Sequence, residues 1–169
     1  MERIQNIPPL GMCFQDRCFM PFYNSPLFNI VREEPAPKSS IKGRKLYDLG
    51  KWYDCVLKVS LRYGENIIED VNAVIDTGAY YSNIKREILI KLGCVQSETF
   101  LCQNTLYYGN VKTPSFTLEM SINGLEGDLT DSFVEAPPYI EYPILLGTYF
   151  LKLCDLNFFG KRGQFELVF

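Results

Sequence analysis

Residues 68–75 read as a strand that runs into the turn-forming triplet Asp76-Thr77-Gly78, so the chain presents a carboxylate at a strand end. That carboxylate is the leading candidate for chemistry, because the 169 residues include no histidine. Ser-His-Asp and Cys-His nucleophile systems, zinc-protease helices and histidine proton shuttles are thereby excluded. The cysteines Cys13, Cys18, Cys55, Cys94, Cys102 and Cys154 are scattered without a CxxC pair, and several stand in apolar stretches as small hydrophobes. Their spacing argues against structural zinc, and neither a metal nor a cofactor is expected.

With 47% hydrophobic and 22% charged residues and a formal net charge of -3, the composition is that of one ordinary globular domain. Lys and Arg are dispersed, so no basic field awaits a phosphate backbone and nucleic acid is not an expected partner. No apolar run approaches the roughly 18 to 20 residues of a bilayer-spanning helix, and the amino terminus lacks the basic start and apolar core of a signal peptide. No membrane partner is expected, and the expected location is cytoplasmic.

The elements that must position Asp76 begin near Trp52. Cys55, Leu57, Val59, Leu61 and Tyr63 alternate with polar residues, the period of a half-buried strand, and Gly64-Glu65-Asn66 turns the chain into the strand that ends at Asp76. Ile84, Ile88 and Leu92 recur at helical spacing, with Ser82 as a candidate cap and Gly93 as a left-handed terminator. Phe116, Leu118, Met120 and Ile122 define a further strand, closed by the hairpin pair Asn123-Gly124, and residues 125–134 return. Ile144-Leu145-Leu146-Gly147 precedes a short helical turn over 148–153, and residues 156–169 read as a terminal hairpin. Residues 1–51 differ in texture: they hold six of the ten prolines and an apolar stretch over 12–31, and they read as an amino-terminal arm ahead of a domain at 52–169. The fold class is mostly β with two short helices.

The run Ala73-Val74-Ile75-Asp76-Thr77-Gly78-Ala79, followed by Ser82 and Ile84, resembles the active-site signature of retropepsin-like (retroviral-type) aspartic proteases. Ile144-Leu145-Leu146-Gly147 follows about seventy residues later, ahead of Phe150-Leu151 and Leu156-Asn157-Phe158. That order is similar to the family's second apolar-apolar-Gly turn, short helix and final strand. The resemblance covers residues 52–169 and implies a single-domain acid-protease fold, a closed β-barrel-like sheet with short helices, active as a homodimer on a peptide or protein substrate.

Two facing carboxylates that share one proton supply what amide hydrolysis without a covalent intermediate requires, a general base for water and a general acid. Asp-Thr-Gly occurs once, and Asp131-Ser132-Phe133 lacks the glycine and the apolar lead-in, so one chain cannot build the pair. The expected catalytic residue is Asp76 from each of two subunits, in a loop braced by Thr77, opened by Gly78 and continued by Ala79. Alanine at 79 cannot donate to the ionised carboxylate as a serine would, which predicts a mildly acidic to neutral working range.

Residues 100–113 correspond in order to the family's flap, with Tyr107, Tyr108 and Gly109 at its tip; an ordinary hairpin with exposed aromatics is the alternative. By position relative to the turn glycine Gly147, Tyr142, Pro143 and Leu145 are expected to line pockets for apolar side chains beside the scissile bond. Tyr80, Tyr81 and Thr148 depart from the retroviral pattern, which commonly has polar substrate contacts at the first two and an arginine at the third. The strand over 164–169 is a candidate for the dimer interface or for ordinary core, and the arm for a cleft occupant, a trimmed segment, a core cover or an interface. An aspartic endopeptidase is the leading reading; the alternative is a catalytically silent dimerisation or peptide-binding module of the same fold.

Overall fold

The computed structural model describes residues 37–97, 100–105 and 109–169, with the backbone alone described for 100–105 and 109–112. All of them fall in the compact unit Pro35–Phe169. The strands in chain order are β1 (Lys38–Ser39), β2 (Arg44–Asp48), β3 (Val56–Tyr63), β4 (Asn66–Ile75), β5 (Ser82–Ile84), β6 (Phe100–Thr105), β7 (Gly109–Ile122), β8 (Asp128–Glu135), β9 (Ile144–Leu146), β10 (Asp155–Phe159) and β11 (Gln164–Val168). One α-helix, α1 (Arg86–Leu92), follows β5, and 3-10 turns span Phe150–Leu153 and Gly160–Arg162.

The period-two segments become the long strands, and their alternation sets the core. In β3, Leu57, Val59 and Leu61 point inward while Lys58 and Arg62 stay in water. In β7, Phe116, Leu118, Met120 and Ile122 do the same. The strand order β8-β5-β9-β4-β3-β7 closes on itself through β7–β8 pairing, which makes a six-stranded barrel with no free edge among those strands. β1 adds to β8 and β6 to β7 outside the ring. Leu57, Leu61, Ile84, Leu92, Leu118, Met120, Phe133 and Phe150 are among the buried side chains that fill the core.

A second sheet, β10-β11-β2, carries the carboxy-terminal hairpin. Its central strand β11 pairs with β10 on one side and β2 on the other. Phe165 and Leu167 are fully buried, and Phe165 stacks on Tyr47 at 5.1 Å between ring centroids. The terminal strand is therefore core, and both of its hydrogen-bonding edges are taken within its own chain. On its opposite face Arg44 pairs with Glu166 at 3.0 Å and Gln164 bonds Asp48.

Residues 38–48, read from the sequence as part of the arm, belong to this unit as β1 and β2. Their sequence gives little sign of this, because two- and five-residue strands show little periodicity and their partners lie far along the chain. The apolar stretch 12–31 falls outside the described residues. Among the described residues no helix is long and apolar enough to cross a membrane.

α1 ends as its sequence indicates, with Gly93 at φ 65° accepting the left-handed cap. Its start differs: Ser82 and Ile84 are in β5, and Lys85 is the N-cap, without a side-chain cap bond.

Candidate active site

Asp76 sits one residue beyond β4, at the point where the sheet releases the chain. β4 runs parallel to β9, with Ile75 opposite Leu146, and antiparallel to β3. The Asp76 N–H donates to the Leu146 carbonyl at 2.9 Å, so the backbone of the aspartate is still held by the barrel. Its side chain is held by the turn: the Gly78 N–H donates to Oδ1 at 2.8 Å, and the Ala79 N–H donates to the Asp76 carbonyl at 3.2 Å. This is an Asx-type turn, in which the carboxylate takes the place of a backbone acceptor and becomes fixed in direction. A Cβ at Gly78 would stand 3.1 Å from Oδ1, so glycine leaves the carboxylate room. Asp76 is half-buried, Thr77 and Gly78 are exposed, and Ala79 is half-buried.

The loop is fastened to the turn after β9. Thr148 donates to the Ala79 carbonyl at 2.8 Å and Tyr149 to the Tyr80 carbonyl at 2.9 Å. The two backbones approach so closely that a Cβ on Gly147 would lie 2.6 Å from the Tyr80 oxygen and 2.7 Å from the Tyr81 carbonyl carbon. Gly147 thus allows a contact that any side chain would forbid, and it joins two segments separated by some seventy residues.

Beneath this junction lies a buried polar pair that the sequence reading did not find. Ser82 donates through Oγ to Asp131 Oδ2 at 2.9 Å, both residues are buried, and the Gly147 N–H points at the same Oγ from 3.4 Å. Asp131 also accepts from the Ser132 N–H at 2.7 Å. Its carboxylate is thus committed to bracing the loop. The signal was present in β8, where Leu129, Asp131 and Phe133 occupy one inward-facing register, two apolar residues flanking a carboxylate.

The expected pocket residues divide. Val74 and Leu145 are register partners, each 7% exposed, on the face opposite to Ala73, Ile75, Ile144 and Leu146. They form an apolar patch within two residues of Asp76 and Gly147. The Pro143 carbonyl accepts from the Lys85 N–H at 2.9 Å, which ties it to the start of α1. Tyr142 donates to Asp54 at 2.5 Å, and this bond, followed by desolvation, raises its phenol above the usual range. That contact ties the segment before β9 to the segment before β3. β6 and β7 form the expected hairpin over residues 100–113, from the pair Phe100 and Pro114 to the pair Thr105 and Gly109. Gly109 opens β7, while Tyr107 and Tyr108 lie outside the described residues.

A search of solved structures finds a retropepsin-like aspartic protease from Rickettsia conorii at a TM-score of 0.52 and 17% identity, covering 77% of this chain and 94% of that one. The fold is retropepsin-like. The retroviral protease-like domain of Ddi1 from Leishmania major matches at a TM-score of 0.36 and 14% identity, covering 60% of this chain and 78% of that domain. A Legionella pneumophila protein of unknown function matches at 0.36 and 16%, covering 58% and 84%. No family model and no curated protein matches the sequence. Within this retropepsin-like barrel, Asp76 and Gly147 stand on the adjacent ends of two parallel strands.

Proposed function

We propose that the chain is an aspartic endopeptidase that cleaves extended peptides as a homodimer, with Asp76 of two copies facing each other. The observation that carries this reading is the Asp76 loop. A carboxylate, oriented by the Gly78 N–H, sits at the mouth of a retropepsin-like barrel on a loop fastened to a second, glycine-based turn.

One carboxylate of the pair is ionised and the other protonated, because like charges about 3 Å apart cannot both ionise, and the pair titrates as a unit. The ionised group takes a proton from a water whose oxygen bonds to the scissile carbonyl carbon. The protonated group gives its proton to the carbonyl oxygen, leaving a neutral gem-diol. Collapse returns a diol proton to one carboxylate, while the amide nitrogen takes a proton as its bond to carbon breaks. Water is the only co-reactant consumed, and the two carboxylates end as they began, one ionised and one protonated.

The surroundings support this assignment. Asp131, the other aspartate the sequence singled out, is bound to Ser82 and Ser132. Val74 and Leu145 offer an apolar wall for side chains beside the scissile bond. On this reading the β6–β7 hairpin, which corresponds in chain order to the family's flap, closes over a strand-like substrate and bonds its backbone. The exposed Thr77 is available to a second copy at the junction of the two loops.

The test is cleavage of a diverse peptide pool between about pH 4 and 8, a span that covers carboxylate titration, read by mass spectrometry. Wild type is expected to cut and Asp76→Asn, folded to the same melting temperature, to leave the pool intact. Equal cutting by both proteins would overturn the assignment.

A further inference from the structure

Directly beyond the loop lies a cluster that the reaction does not use. Tyr80, next after Ala79, is 53% exposed; it meets Tyr81 edge-on at 4.7 Å between ring centroids and tilts toward Tyr149 at 6.0 Å. The bonds from Thr148 and Tyr149 to the carbonyls of Ala79 and Tyr80 fix the spacing of these rings. Lys152, in the 3-10 turn Phe150–Leu153, reaches back over them. Its Nζ is 4.4 Å from the Tyr149 ring centroid and 5.3 Å from that of Tyr80, and it donates to the Tyr80 hydroxyl at 3.3 Å.

Aromatic faces attract and orient an ammonium without cancelling its charge. The ion pairs among the described residues are Arg44 with Glu166 and Arg86 with Glu135, so no described carboxylate neutralises Lys152. A lysine head has three N–H donors and no acceptor, and the Tyr80 hydroxyl takes one of them. The result is a pre-oriented, uncompensated cation attached to the segment that leaves the Asp76 loop. Orienting the long side chain in advance removes part of the entropy that binding otherwise costs.

We propose that Lys152, held over Tyr80 and Tyr149, is a specificity subsite that selects peptides carrying an Asp or Glu side chain a few residues from the scissile bond. The displacement is part of the proposal, because Lys152 is held by the segment that follows the Asp76 loop and not by the loop itself. The scissile carbonyl must meet Asp76, the cluster begins four residues further on, and an extended peptide advances about 3.3 Å per residue. The inference rests on the peptidase reading.

Binding separates the two. Fluorescent peptides with an apolar pair at the centre and a single Glu moved along the chain, with their Gln counterparts, are titrated into full-length Asp76→Asn protein. At one position Glu should bind about five-fold more tightly than Gln at low salt, the upper range for an exposed ion pair, and the ratio should shrink as salt rises. Lys152→Met should remove the Glu preference, and Lys152→Arg should retain it, with melting temperatures unchanged. Equal binding of Glu and Gln peptides at every position, no binding of any peptide, or a Glu preference that survives Lys152→Met would overturn the subsite. Wild-type cleavage of the same peptides then judges the chemistry. Cutting without Glu preference removes the subsite and leaves the peptidase, whereas Glu-selective binding without cutting removes the peptidase and leaves a peptide-binding cleft.

Discussion

Replacing Gly147 by alanine isolates the contact that holds the candidate active site together. The added Cβ would stand 2.6 Å from the Tyr80 oxygen and 2.7 Å from both the carbon and the oxygen of the Tyr81 carbonyl, all of them backbone atoms. No side-chain rotation relieves that overlap. Overpacking of this kind costs about 1–3 kcal/mol, and weakening the two adjoining bonds, Thr148 to Ala79 and Tyr149 to Tyr80, adds about 0.5–1.5 kcal/mol each. A loss of about 3 kcal/mol or more is expected in urea denaturation. Gly64→Ala is the control. Gly64 has φ 58° but nothing within 4 Å of its would-be Cβ, so it carries only the left-handed backbone cost of about 1–2 kcal/mol. If Gly147→Ala is no more destabilising than Gly64→Ala, the close approach is not what fastens the loop.

Ser82→Ala removes the hydroxyl that donates to buried Asp131, and a loss of about 1–3 kcal/mol in urea denaturation is expected; a change below about 0.5 kcal/mol would mean that the pair does not brace the turn. The Tyr47 hydroxyl is buried without a hydrogen-bond partner, so Tyr47→Phe should stabilise the protein by about 1 kcal/mol in the same assay. Burial also lifts the Tyr47 phenol from its ordinary 10.0 to about 12. A folded-state value above the unfolded one gives stability that is intact below about pH 10 and falls as pH rises toward 12, and Tyr47→Phe should flatten that fall in alkaline thermal melts. Burial, with Asp155 second, raises the Cys154 thiol from 9.0 to about 12. Its thiolate is scarce at neutral pH, so native Cys154 should alkylate far more slowly at pH 8 than the same residue in urea; equal rates would contradict the burial.

The sequence spoke most clearly where local pattern and tertiary role coincide. The alternation in β3 and β7 identified strands that are half-buried for the same reason, and Gly93 marked a helix end because only its own backbone conformation was at stake. Asp76-Thr77-Gly78 was visible because the turn is local, from the Asp76 carboxylate to the Gly78 N–H. Short strands with distant partners were not visible. β5 is three residues long and is sandwiched between β8 and β9, so Ser82 passed for a helix cap when its hydroxyl belongs to Asp131. β2 was read as part of the arm because its partners lie far along the chain: it pairs with β11, and Tyr47 stacks on Phe165. The alternating faces of β11 and its hairpin with β10 were evident, but its second partner, β2, was not, and that pairing takes up the other edge of the strand. Tyr142 was expected in a pocket wall by position; its bond to Asp54 depends on a residue 88 positions away.

In the proposed enzyme two copies of Asp76 make one site. Wild type and Asp76→Asn protein should be mixed in equal amounts, allowed to exchange subunits at fixed total concentration, and assayed on a peptide that wild type cleaves. If each site needs Asp76 from both subunits, mixed dimers are silent and the activity per total protein falls to about one quarter of the wild-type value. A fall to only about one half, the outcome for sites built within single chains, would rule out a site shared between two subunits.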